Sequence, residues 1–361
     1  MIFKCFFKGL DRAKKPLTRK RGFCIKAQGS RYTVEQFIDL IKNDVKKVEE
    51  EFNLRLASQV PRLTEVAQDQ LNRGGKRFRP ALLLLSAKLC GYQGKDHIPL
   101  AAVIEFIHTA TLLHDDVIDN AEVRRGRPSA NRQVGNRYSV LTGDFLFCKS
   151  LAMGIAIGNL RILQTLIAAT TALSEGEAME MEQTGEGGGV AQLSLTEEEN
   201  QRLIINKTAV LISAAMRIGA ILGQAPLPLE EALASFGLAV GIAFQLVDDC
   251  LDYLGNQEVL GKEIGIDLKE GKVTLPLIHT LAQCTPKEKK EIHEIILGNG
   301  FSPGALQRVT GLINQYNGFD YTFAKAQQYI DEAKGRLQIL PHSREKEALF
   351  AGADYVVRRR L

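Results

Sequence analysis

From Tyr32 onward the chain reads as one amphipathic or wholly apolar helical segment after another. Thr33 with Gln36, Thr196 with Glu199 and Thr285 with Glu288 have capping-box spacing, and Ser302-Pro303 pairs an N-cap residue with proline at the first helical position. Alternating Val/Ile/Thr runs that would mark strands are nearly absent. Breaks are expected at Arg73-Gly74-Gly75, Gly91 to Gly94, Gly185 to Gly189, Pro226 to Leu229 and Gly261 to Gly271. They are short enough to separate helices but not domains, and no tandem repeat is evident. The pattern therefore predicts an all-α fold: a single large helical bundle over residues 32–361, preceded by a basic extension at 1–31. The interior helices Leu211 to Gly223 and Leu233 to Val247 are rich in Ala, Gly, Leu and Ile, so they can approach closely and enclose an elongated apolar tunnel.

Composition changes this picture little. At 361 residues with 45% hydrophobic and 24% charged side chains, the chain has ordinary globular proportions. Its longest uncharged stretch, Ala232 to Val247, is shorter than the roughly 20 residues of a bilayer span, so no transmembrane helix is expected. Six cysteines form no CxxC pattern, which disfavours a zinc site and suits a reducing compartment. Charge is more informative. The net +4 hides a leader, residues 1–31, with ten basic side chains against Asp11 alone, which leaves −5 for the remainder. An organelle transit peptide, a membrane-surface anchor and a disordered tail all fit that leader. Nucleic-acid binding is disfavoured, because no basic patch with interleaved aromatics recurs downstream.

The chemistry concentrates in two copies of one pattern, Asp115-Asp116-Val117-Ile118-Asp119 and Asp248-Asp249-Cys250-Leu251-Asp252. One DDxxD can be a solvated helix turn, but these two are flanked by the core-like Leu112-Leu113-His114 and Phe244 to Val247. Burying an unpaired carboxylate costs on the order of several kcal/mol, so these charges call for a counter-ion. Residues four apart on a helix share a face, which groups Asp115 with Asp119 and Asp248 with Asp252, with Asp116 and Asp249 alongside. Two such walls suit several Mg2+ ions whose remaining positions take water or a diphosphate. Neither run has the central glycine and late glutamate of an EF-hand. Cations suited to diphosphate lie nearby in sequence: Lys76 and Arg79 beside Gly74-Gly75, then Arg124 and Arg125 after the first acidic run. His108, two helical turns before Asp115, can face the same cleft. Lys207-Thr208, Gln245, and Lys262 and Lys272 of a Gly/Lys-rich loop complete the polar set, although that loop lacks the GxxxxGK[ST] form.

In this order, GGKRFRP, LLHDDVID, RRGRP, GDFLF, INKTA, FQLVDDCLDY and GKEIGIDLKEGKVTLP resemble the trans-type polyprenyl diphosphate synthases, and EFIHTATLLHDD is similar to their octaprenyl branch. The resemblance runs from about Tyr32 to the end. It implies an isoprenoid synthase-type bundle and condensation of isopentenyl diphosphate head-to-tail onto an allylic primer such as farnesyl diphosphate. Lys76, Arg79, His108 and Arg125 would bind isopentenyl diphosphate. Arg124, Lys207, Thr208, Gln245, Lys262 and Lys272 would bind the allylic diphosphate, and the six aspartates would carry Mg2+, with Asp115, Asp116, Asp119, Lys207, Asp248, Asp249 and Lys262 as the catalytic set. Ala110, five residues before the first motif, together with Thr111 and Ile107, would set product length; the small side chains imply an open tunnel and about eight isoprene units, serving a quinone side chain. A homodimer, a peripheral membrane contact for product release, and a cytoplasmic location (mitochondrial if the leader is a transit peptide) are further expectations. A class I terpene cyclase would carry a mixed Asn/Ser/Glu second motif, and a non-catalytic subunit would have lost carboxylates or cations; neither description fits these residues. Every motif lies downstream of residue 31, so deletion of residues 1–31 is expected to leave the turnover of soluble enzyme unchanged, measured by prenyl transfer.

Overall fold

A computed structural model describes residues 34–73, 77–124, 126–185, 194–255, 264–297 and 302–359, with backbone alone considered for 34–38 and 303. The leader, the Thr33 cap, Gly74 to Lys76, Arg125, Glu186 to Gly189 and Lys262 lie outside the described residues. The helices are α1 (Val34–Arg55), α2 (Pro61–Asn72), α3 (Phe78–Leu89), α4 (His97–Ile118), α5 (Ala130–Val134), α6 (Asn136–Ala156), α7 (Leu160–Thr184), α8 (Glu197–Ile204), α9 (Val210–Leu222), α10 (Leu227–Leu254), α11 (Ile266–Lys269), α12 (Leu275–Gln283), α13 (Pro286–Leu297), α14 (Pro303–Gln315), α15 (Gly318–Arg336) and α16 (Arg344–Arg358). A wider π-turn, Ile205–Ala209, joins α8 to α9 without a break. The described strands are β1 (Val123–Arg124) and β2 (Arg127–Pro128), an antiparallel pair in which Val123 faces Pro128.

The sequence signals for helix ends operate as chemistry. Thr196 N–H donates to Glu199 Oε2 at 2.8 Å while Glu199 N–H donates to Thr196 Oγ1 at 3.2 Å. Thr285 and Glu288 repeat the exchange at 2.9 and 3.3 Å, and Ser302 Oγ accepts from Ala305 N–H. One expected break moves. Pro228 sits in the first turn of α10, where its missing N–H costs no hydrogen bond, so the turn ends at Pro226.

The core sits among α3, α4, α9 and α10, with α1, α6, α7, α15 and α16 packed around them. α4 is buried along nearly its whole length, from Ile98 to Leu113. Close approach of α9 to α3 depends on Gly219: a Cβ there would stand 2.6 Å from Ser86 Cβ and 2.7 Å from both Leu83 O and Ala87 N. Ser86 Oγ donates to Met216 O across the same crossing at 2.6 Å. At one pole of the bundle Glu230, at the start of α10 and only 2% exposed, accepts from Arg161 of α7 at 2.5 Å and from Arg217 of α9 at 2.9 Å. The C-terminal ends of α4, α7 and α10 meet at the other pole, where the acidic motifs lie.

Contrary to the expectation from uncharged run length, three helical stretches are long and apolar enough to cross a membrane by length and composition: Asn136–Ala156, Glu197–Leu222 and Leu227–Leu254. The difference arises because a span tolerates a few charged residues. The last two are interior helices of the bundle, with more than half of their most apolar window buried. α6 is the exception at 39%, and Leu141, Leu151 and Ile155 on α6 are exposed, as are Leu160 and Ile167 on the adjacent α7.

Replacing Gly219 by Ala is expected to force α3 and α9 apart and lower unfolding free energy by about 1–3 kcal/mol, as read from the midpoint of urea denaturation.

Candidate active site

α4 ends on the first acidic motif. Asp116 is fully buried, forms an ion pair with Arg124 Nε of β1 and lies 3.5 Å from the Ala130 N–H at the start of α5. Its carboxylate thus ties the end of α4 to the segment that follows. Asp115 is pushed up to about 7, first by burial and then by the charge of Glu177, with Lys207 and Arg124 opposing. Asp119 caps the helix, and its carboxylate meets Glu177 and Glu180 of α7, one oxygen from each residue lying within 4.8 Å of the others.

Two lysines enter this acidic group. Lys207 Nζ lies 2.9 Å from Glu177 Oε2 and also pairs with Glu180. Lys272 Nζ lies 2.9 Å from Glu270, 3.2 Å from Glu180 and 3.7 Å from Asp119. Burial works against both charges, but the surrounding carboxylates, Glu180 foremost, outweigh it and raise both lysines above their ordinary value. Glu180, between the two ammonium groups, is lowered despite its own burial. Lys207 stands on the π-turn, whose wider repeat takes one residue more than an α-helical turn. Gly176 makes room: a Cβ there would fall 2.8 Å from Lys207 N and 2.9 Å from Asn206 C, so α7 can press on the turn and bring Glu177 to Lys207.

The same turn leads to the second acidic motif. Thr208 Oγ1 donates to Gln245 Oε1 at 2.9 Å, and Gln245 Nε2 donates to Asp249 Oδ1 at 2.8 Å. Asp249 is held well above the usual carboxylate range, by burial first and then by the charge of Asp267, against the Gln245 hydrogen bond. Asp252 accepts from Asp267 N–H at 3.1 Å, and Asp248 pairs with Arg359 Nη1 at 3.0 Å. The Arg359 guanidinium also lies over the Phe244 ring, 4.0 Å from its centroid. Glu180, Lys207, Thr208, Gln245, Asp249 and Lys272 line one cavity of about 160 Å³. Asp249 of the second motif thus lines this polar space directly, while the first motif adjoins it through Asp119, which meets Glu180 and Lys272.

Along α4 and α7, on the N-terminal side of their acidic residues, lies an apolar cavity of about 270 Å³ lined by Ile107 of α4, Phe147 and Leu151 of α6, and Leu166 and Thr170 of α7. Of the three chain-length positions, Ile107 lines this cavity. Ala110 is fully buried one turn nearer the aspartates, and Thr111 is half-buried with its hydroxyl donating to His108 O at 2.9 Å. His108 lines a third, small cavity of about 10 Å³ together with Arg73, Arg77, Glu105 and Arg124. Arg79 lies in the first turn of α3, two residues after Arg77, and is not among the residues that line this cavity.

Glu177, Glu180, Asp267 and Arg359 were missed by sequence reasoning. The i, i+3 spacing of Glu177 and Glu180 puts them on one helix face, but Glu175 and Glu182 nearby make the segment look like an ordinary solvated face. The donors gathered here are all carboxylate oxygens, and Glu177 Oε1 is buried without a hydrogen-bond partner. Hard oxygen donors of this kind fit Mg2+.

The sequence matches the polyprenyl synthetase family over residues 60–313. It is 38% identical over 327 residues to the octaprenyl diphosphate synthase of Escherichia coli (strain K12), covering 90% of this chain and 99% of that protein. Among solved structures, the polyprenyl synthase from Caulobacter crescentus CB15, complexed with calcium and isoprenyl diphosphate, superposes with a TM-score of 0.87 at 35% identity, covering 92% of this chain and 100% of that one. A decaprenyl diphosphate synthase from Rhodobacter capsulatus gives 0.85 at 38% identity, covering 90% and 99%. With the helical fold and the acid-lined cleft, these similarities establish that the chain belongs to the polyprenyl synthetase family and is a prenyltransferase.

Proposed function

We propose that the protein condenses isopentenyl diphosphate onto an allylic diphosphate primer such as farnesyl diphosphate and builds a long all-trans chain of about eight isoprene units, used as a quinone side chain. The observation that carries this reading is the stacking of a charged cleft over an apolar cavity on shared helices. α4 bears Asp115 and Asp119 above Ile107, and α7 bears Glu177 and Glu180 above Thr170. A diphosphate held at the top would send its hydrocarbon tail downward. The similarity to an octaprenyl synthase supports the product length, and the isoprenyl diphosphate and calcium of the Caulobacter protein support a diphosphate and divalent cations in this cleft.

Asp115, Asp116, Asp119, Asp248, Asp249 and Asp252, joined by Glu177 and Glu180, are the residues that would hold Mg2+, which supplies neutralisation of charge on the diphosphate oxygens. Lys207, Thr208, Gln245 and Lys272 would orient the allylic diphosphate, with Arg124 and Lys262; Lys76, Arg79, His108 and Arg125 would seat isopentenyl diphosphate. As the allylic C–O bond breaks, its electron pair leaves with the diphosphate, and the buried ammonium groups of Lys207 and Lys272 stabilise that charge. The isopentenyl double bond attacks the resulting cation, and the proton released passes to the departing diphosphate. The apolar lining excludes water that would otherwise capture the cation. A homodimer would cover the exposed apolar face of α6 and α7, where Ile155 and Leu160 stand 62% and 66% exposed.

Turnover of radiolabelled isopentenyl diphosphate with an allylic primer tests the reading. Asp248→Ala is expected to abolish it while preserving the circular dichroism of the fold, since the charge in the cleft loses a ligand; near-normal activity at saturating Mg2+ would exclude this metal arrangement.

Ala110→Phe is expected to shorten the products to a few isoprene units without stopping the first condensations, because the ring would stand between the aspartates and the cavity in a packed interior. Chromatography of dephosphorylated products reads the outcome, and full-length product from this variant would place the chain-length determinant elsewhere.

Asp115 also sets a pH dependence. Its folded-state value is raised, so between about pH 4 and 7 the folded chain holds a proton that the unfolded chain has released. This contribution to stability is present at low pH and is lost as pH rises through about 7. In chelator, the wild type is expected to lose more stability between pH 5 and 8 than Asp115→Asn, compared by denaturant melts; parallel profiles would contradict the assignment.

A further inference from the structure

We infer that the buried pair Arg77–Glu105 is the positioning device of the isopentenyl diphosphate half of the cleft. The inference rests on the proposed function. Arg77 directly precedes α3 and has φ 47° and ψ 34°, the left-handed region that side chains other than glycine seldom occupy. Its side chain holds the turn in that form. Nη1 donates to Glu105 Oε1 at 2.5 Å, Nη2 donates to Leu71 O at 2.5 Å, and the guanidinium lies 5.1 Å from the centroid of the Phe52 ring. Both charged side chains are only 6% exposed.

Arg77 has one Nη on a carboxylate and the other on a carbonyl, and its Nε is buried 3.8 Å from Glu49 Oε1, so the guanidinium is enclosed by protein and not presented to a phosphate. Its effect has to be exerted through its neighbours. Arg79 lies two residues along, in the first turn of α3. Glu105 lies on α4 one turn before His108, and Thr109 donates its hydroxyl back to Glu105 O at 2.8 Å. The ion pair therefore fixes the first turn of α3 against the polar face of α4. Arg77, Glu105, His108 and Arg124 border the same small cavity. A diphosphate bound between cations from two helices is sensitive to their spacing, and supporting groups of this kind carry effects without touching the ligand. Of the described residues proposed for the allylic diphosphate, Lys207, Thr208, Gln245 and Lys272 line the separate cavity beside α7 and α10, and Arg124 alone borders the cavity of this ion pair.

Steady-state kinetics on the full chain, varying isopentenyl diphosphate and farnesyl diphosphate separately, test the inference with Glu105→Gln, which keeps shape and removes charge, and Arg77→Lys, which keeps charge and removes the fork. Each is expected to raise KM for isopentenyl diphosphate by about tenfold or more, leaving kcat and the allylic KM within about twofold. Folding is checked by circular dichroism and a cooperative melt, and if Glu105→Gln does not fold, Arg77→Lys is judged by the same criterion. Equal changes in both KM values, or no change in either, would overturn the inference and leave a purely structural ion pair. An active wild type with unselective variants defeats this inference alone, whereas a wild type that transfers no prenyl group defeats the proposed function and this inference with it.

Discussion

Crowding of carboxylates at one end of a helical bundle is the constraint on which the rest of this structure depends. Asp115, Asp119, Glu177, Glu180 and Glu270 gather around two ammonium groups, while Asp248, Asp249, Asp252 and Asp267 gather a short distance along the same wall. No apolar core gains stability from such a cluster, since each buried charge carries a desolvation cost that only a nearby cation offsets. Protein cations meet part of that demand. Arg124 answers Asp116, Arg359 answers Asp248, and Lys207 and Lys272 share Glu180. The remainder falls on Asp115 and Asp249, whose carboxyls burial and neighbouring acids push above the usual range. The cleft keeps an excess of carboxylate charge, which is the condition that divalent cations relieve.

Holding that cluster in place takes a rigid scaffold, and the scaffold uses small residues to achieve it. Gly176 lets α7 touch the backbone of the π-turn, and Gly219 lets α9 lie against α3. Both crossings shorten the distance between helices that carry functional groups. At the far pole, Glu230 locks α7, α9 and α10 with two arginines, so the three helices reach the cleft in a fixed relation. Charge at one end and an apolar cavity along the shaft are then consequences of one packing arrangement.

Much of this was legible along the chain. Helical periodicity, capping boxes and glycine breaks correspond to the observed helices because local hydrogen bonding and backbone freedom decide them. The DDxxD runs stood out because carboxylates within apolar flanks conflict with burial, and such conflicts mark function. The partners of those aspartates were not legible. Glu177 and Glu180 are separated from Asp119 by more than a full helix of sequence, and nothing in their local composition distinguishes them from the exposed glutamates beside them.

The sequence by itself determined which segments are helical, that two acidic motifs need cations, and which family the order of motifs resembles, since each of these is set within a few residues along the chain. Tertiary structure alone decided which acid meets which base. Asp116 is turned onto Arg124, Arg77 is committed to Glu105, Arg359 from the chain's end reaches Asp248, and Ile107 reaches the cavity while Ala110 is enclosed. The physical reason is that a charge selects its partner by distance and desolvation in three dimensions, and helix crossings set by side-chain volume fix those distances.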